Sequence, residues 1–116
     1  MSTTLFILND APYGNERAYN ALRLAGALAG REGEQVRLFL LADAVACAKS
    51  GQKVPQGYYN VNLMLGKVIR AGEVGVCGTC MDARGLTEPD LQEGARRSTL
   101  AELAEWTATA DKVLVF

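Results

Sequence analysis

The chain has 116 residues, 49% hydrophobic and 22% charged, with a formal net charge of −1. That length fits one domain with one core, and so even a charge balance leaves no basic face for nucleic acid. No apolar run approaches the roughly 20 residues that span a bilayer, and no histidine is present to act as ligand or general base.

Thr3 to Asn9, TTLFILN, is a near-continuous apolar run, the pattern of a strand buried on both faces. From Asn15 to Arg31, Ala18, Ala21, Leu22, Ala25, Leu28 and Ala29 recur at helical spacing, so an amphipathic helix is expected, ended near Gly30 or Gly33. Gln35 to Ala42, QVRLFLLA, reads as a second strand, completing a unit of βαβ size. Asp43 to Lys49 predicts a short helix with Asp43 as N-cap, and Ser50 to Asn60, with two glycines and a proline, a loop. A second amphipathic helix is expected from about Tyr59 to Ala71, with Gly72 just past its end, followed by a strand over Glu73 to Cys77. LTEPDL reads as a helix start with Thr87 as N-cap and Asp90 three residues on. Thr99 to Ala110 is a further helix with a Thr99/Glu102 capping box. Asp111 to Phe116 is a last strand. The expected order is β-α-β-α-α-β-α-α-β: a single α/β domain over residues 1–116, a three-layer sandwich with a mainly parallel sheet.

Ligands of open parallel sheets bind beyond the carboxyl ends of the strands. Three segments are expected to meet there: NDAPYGN, ADA and CGTCMDARG. None is a dinucleotide or P-loop fingerprint, so no cofactor is expected. Cys77, at a strand end, is the candidate nucleophile. Only about 3% of an ordinary thiol is thiolate at neutral pH, so activation needs N–H groups or a cation, and Arg84 is near in sequence. Cys80 makes a C-G-T-C pair with Cys77, but it follows the third strand and is expected to lead into a loop, unlike the dithiol of thioredoxin-like proteins. Three cysteines without histidine cannot close a zinc site in one chain. Cys47, among alanines, reads as core. Asn9, Asp10, Asp43, Arg84 and Tyr13 are the candidate substrate-binding or activating residues. Capping is the plainer role for Asp10 and Asp43, and packing for Tyr13, Tyr58 and Tyr59. MSTTLFILND carries neither a basic n-region nor a cleavage site, so a cytoplasmic protein is expected.

Taken together, LNDAPYGNERAYNALRLA, LLADAVACA, GQKVPQGYYN and VCGTCMDARGL resemble the DsrE/DsrF-like (YchN-like) family of small α/β proteins, over nearly the whole chain. Its sulfur-relay members carry one cysteine at a strand end, seven residues before an Arg-Gly pair; Cys77 and Arg84-Gly85 match that spacing, and Cys80 has no counterpart. The resemblance implies a persulfide on Cys77 passed to a partner thiol, and a homo-oligomer, trimeric or hexameric, with donor and acceptor proteins as partners. Cys80 would then be a resolving thiol or a bystander. Two other readings stay open: a non-catalytic oligomeric binding or assembly module, and a Cys77/Cys80 dithiol redox protein.

Overall fold

The computed structural model describes all 116 residues. Five strands, β1 (Ser2–Leu8), β2 (Glu34–Leu40), β3 (Glu73–Cys77), β4 (Ala95–Ser98) and β5 (Lys112–Val115), form one sheet in the order β4-β3-β2-β1-β5. Every pairing is parallel. The helices are α1 (Arg17–Ala29), α2 (Val61–Ala71), α3 (Gly78–Asp82) and α4 (Leu100–Thr109), with 3-10 segments at Ala42–Ala48 and Glu88–Asp90. No helix is long and apolar enough to cross a membrane.

The connections fix the layers. β1-α1-β2 and β2-α2-β3 step the same way along the sheet, and right-handed crossovers put both helices on one face, where α1 packs on α2. β4-α4-β5 steps back across the whole sheet, so α4 lies on the other. Trp106 of α4 meets Phe39 edge to face, with ring centroids 6.0 Å apart, and the Arg37 and Arg96 guanidiniums stack over it. The central strands are buried on both sides: Leu5, Phe6, Leu8, Val36, Leu38, Phe39 and Leu40 form the middle of the core.

Several expectations change. A fifth strand, β4, lies where none was expected. Its sequence ARRS has no apolar run, because an edge strand needs only backbone pairing with β3. LTEPDL forms one 3-10 turn, not an α-helix. The Asp90 carboxylate accepts from the Thr87 N–H at 2.7 Å, as the capping signal requires, but Leu91 turns extended directly after it. Asp43 is not an N-cap: the Ala42–Ala48 segment starts after Leu41 with no side-chain cap. C-G-T-C leads not into a loop but into α3.

Gly72 does close α2, for a different reason from the one expected. Its backbone is extended (φ −150°), not left-handed, and a Cβ there would overlap the Val36 carbonyl oxygen. Close approach of α2's end to β2 requires the glycine. Asn60 caps α2 by accepting from the Asn62 and Leu63 N–H groups, and Tyr59 lies outside the helix. Thr99 caps α4 by accepting from Glu102 N–H at 3.2 Å. The Glu102 carboxylate turns away from the box to bind Arg96 and Ser98.

Candidate functional site

β3 ends at Cys77 and the chain turns straight into α3, which makes Cys77 both the last strand residue and the helix N-cap. The Cys80 N–H points at its sulfur, 3.4 Å away. The Thr79 N–H also favours a negative charge on that sulfur, and the neighbouring Cys80 thiol disfavours it. Backbone N–H groups favour a negative sulfur, yet the Cys77 thiol lies above its ordinary value. Burial is the main cause, and the Cys80 thiol adds to it. Only 8% of Cys77 is exposed, Cys80 is half-buried, and both are free thiols. The result is a nearly buried sulfur at the rim of the core, kept mostly protonated at rest, with an N–H donor already in place.

Arg84 does fold back, though not onto Cys77. It donates twice to the Asp43 carboxylate, at 3.0 and 2.9 Å, and once to the Cys80 carbonyl, at 3.1 Å. The Arg84–Asp43 pair thus ties the loop after α3 to the segment after β2. Asp43 faces the dithiol loop through this pair and plays no capping role. Across the same end of the sheet, Asn9 donates to the Phe116 carbonyl at 3.3 Å, and Asp10 accepts from Arg17 at 3.0 Å. These bonds tie β1's exit to the chain's end and to α1. None of them reaches a cysteine side chain, although the Asp10 carbonyl lies 4.0 Å from the Cys47 sulfur.

Tyr13 sits in an aromatic stack. Its ring lies 5.4 Å from that of Tyr59, which is 4.2 Å from Tyr19, and its hydroxyl accepts from the Val61 N–H at 3.0 Å. With Lys53, Pro55 and the exposed Tyr58 it lines an open recess of about 420 Å³. The tyrosines therefore pack and line a pocket at once, and no cysteine lines it. Cys47 is wholly buried, its thiol pushed up to about 12 by burial. No three Cys, Asp or Glu side chains converge on a point that would hold a metal ion.

Arg97 was missed from sequence. β4 pairs with β3 so that Cys77 lies beside Ser98. The neighbouring Arg97 lays its guanidinium against Gly78, the residue after Cys77, and makes a two-pronged bond to Asp82 at 2.9 and 3.0 Å. No side-chain pattern signals it: Arg97 comes to Gly78 only through the backbone pairing of β4 with β3.

Residues 3–116 match the DsrE/DsrF-like family. The chain is 45% identical to protein YchN of Escherichia coli over 119 residues, covering all of both chains. It is 43% identical to an uncharacterized protein of Methanopyrus kandleri over 95% of this chain and 90% of that one. The crystal structure of the Escherichia coli YchN protein superposes over the whole of both chains with a TM-score of 0.94 at 44% identity. A protein of unknown function from Methanobacterium thermoautotrophicum shares the fold alone, with full coverage of both chains at a TM-score of 0.79 and 11% identity. The chain belongs to the DsrE/DsrF-like family.

Proposed function

We propose that this protein carries sulfane sulfur as a persulfide on Cys77 and passes it to a partner thiol. The observation that carries the reading is the placement of the Cys77 sulfur: at the end of a parallel strand, at the N-cap of α3, and accepting from the Cys80 N–H. Membership of a family that includes sulfur-relay subunits supports it.

The chemistry is displacement at sulfur, as in thiol–disulfide exchange. The Cys77 thiolate attacks the outer sulfur of a donor persulfide. The donor S–S bond breaks, and the donor thiolate leaves with the electron pair. Cys77 then holds the persulfide anion, and the N–H groups that faced the thiol stabilise its charge. An acceptor thiolate repeats the displacement on the outer sulfur, and Cys77 leaves as thiolate. Neither step changes the overall oxidation level. Exposure to a sulfane-sulfur donor is expected to add about 32 Da, one sulfur, to the intact mass, reversed by reductant and absent in Cys77→Ala. An adduct that survives Cys77→Ala overturns the proposal.

One observation favours a second reading, the dithiol: Cys77 opens a helix and Cys80 lies in hydrogen-bonding contact with it. In that case the Cys80 thiolate attacks the Cys77 sulfur of the persulfide, hydrosulfide leaves, and a Cys77–Cys80 disulfide remains for an external dithiol to reduce. A pair that stays reduced under mild oxidant, by mass after alkylation, removes this reading and leaves Cys80 a bystander. Self-association of a cytoplasmic protein as trimer or hexamer belongs to the same proposal. Its support is the edge strand β5, whose Val113 and Val115 side chains are exposed.

A further inference from the structure

Arg97 is on the strand beside Cys77, not on the dithiol loop. An added Cβ on Gly78 would stand 2.8 Å from the Arg97 guanidinium carbon, so the guanidinium lies directly against the backbone that follows Cys77. Asp82, the last residue of α3, grips it with both carboxylate oxygens. Glycine in C-G-T-C thereby gains a reason: it is the one residue type that lets a cation settle there. We propose that Arg97 is the positioning cation for a negatively charged sulfur on Cys77, with Asp82 holding it over Gly78 and damping its charge. This rests on the persulfide reading and deepens it. The donor it favours is an anionic sulfane-sulfur compound, drawn to the guanidinium as it approaches Cys77.

The other charges near the site are already committed. Arg84 is paired to Asp43, and Arg96 to Glu102 and Glu73. Glu88 adds its field to that of Asp82 at Arg97, and the Cys77 thiolate acts on Arg97 in the same sense. Cys80 is the remaining titratable neighbour, on the helix itself. Only Asp82 offsets Arg97 by direct contact, so the two residues have opposite effects on an anionic sulfur. That opposition separates the proposal from a merely structural salt bridge, whose loss from either side would act alike.

The test is the pH–rate profile of Cys77 alkylation, read by mass on the Cys77 peptide, in the full chain and its variants. With neutral iodoacetamide at pH 7, Arg97→Gln is expected to slow modification about threefold or more and move the midpoint up. Asp82→Asn is expected to speed it by a similar factor and move the midpoint down. Arg97→Lys restores part of the rate. Gly78→Ala keeps both charges and pushes aside only a flexible side chain, so it gives the Arg97→Gln phenotype in a folded protein. Iodoacetate, an anion, loses more than iodoacetamide on Arg97→Gln, and the excess fades at 1 M salt, where the Debye length is about 3 Å. Shifts of the same sign in Asp82→Asn and Arg97→Gln, or no shift in either, overturn the proposal. Alkylation requires no sulfur donor. A response of the thiol without persulfide formation therefore refutes sulfur carriage and spares Arg97, while persulfide formation without the opposed shifts does the reverse.

Discussion

Cys47 and Cys77 are both buried and both free, yet their sulfurs are held in opposite senses. Cys47 sits inside the 3-10 segment after β2 with the Asp10 carbonyl 4.0 Å from its sulfur, so its thiol donates. A donating thiol needs its proton. Cys77 sits at the end of β3 with backbone N–H groups aimed at it, so its sulfur accepts. An accepting sulfur gains from losing its proton. Burial raises both thiols; at Cys47 only its own backbone N–H works against that, whereas at Cys77 the N-terminal N–H groups of α3 do. Depth alone does not separate an inert cysteine from a reactive one; the direction of its hydrogen bonds does.

The largest effect should come from asking both thiols to react. With its thiol at about 12, Cys47 in the native protein should be alkylated on the order of 1,000-fold more slowly than in the unfolded chain, in proportion to its thiolate. Timed iodoacetamide labelling, read peptide by peptide, checks this. Cys47 labelling as fast as Cys77 in the native state would dissolve the contrast.

Alkaline stability sharpens the same contrast from the other side. The Cys47 thiol rises from 9.0 to about 12 on folding. Between those values the unfolded chain has released a proton that the folded one keeps. The unfolded state therefore binds fewer protons, and stability falls as pH rises. The contribution is whole below about pH 9 and is lost progressively toward pH 12, by at most about 4 kcal/mol. Urea midpoints from pH 8 to 10.5 should fall, and Cys47→Ala should flatten that slope even though it costs some packing at neutral pH. An unchanged slope in Cys47→Ala would mean that other groups drive the alkaline loss.

The elements legible in the sequence are those whose burial wrote a pattern into it. β1 and β2 are covered on both faces in their C-terminal halves, so LFIL and LFL are continuous apolar runs, and β3 follows with VGVC. β5 could be read as well, though it is an edge, because KVLV still presents apolar side chains. β4 could not: two of its four residues are arginines, and what makes it a strand is hydrogen bonding to β3, which leaves no trace in side-chain type. α3 was hidden for a related reason. Five residues, GTCMD, are too few for a helical period. The site inherits this unevenness. Cys77 and Cys80 are adjacent in the chain and stood out by type and spacing, whereas Arg97 reaches Gly78 only through the register of a strand that was itself unreadable. Arg84, seven residues from Cys77, looked the better cation because sequence distance was the only distance to hand.

That substitution of one arginine for the other yields the smallest expected effect. Arg84 spends its fork on Asp43 and on the Cys80 carbonyl. Its charge is offset where it stands, on a partly exposed bridge of the kind that contributes little. Arg84→Ala should change the rate of Cys77 alkylation by less than about twofold at neutral pH and physiological salt. The change that does occur should come from loosening of the loop after α3, and so should be insensitive to added salt. A large, salt-dependent loss in Arg84→Ala would return the role of cation to the residue nearest in sequence and would mean that the Asp43 pair opens when the sulfur is charged.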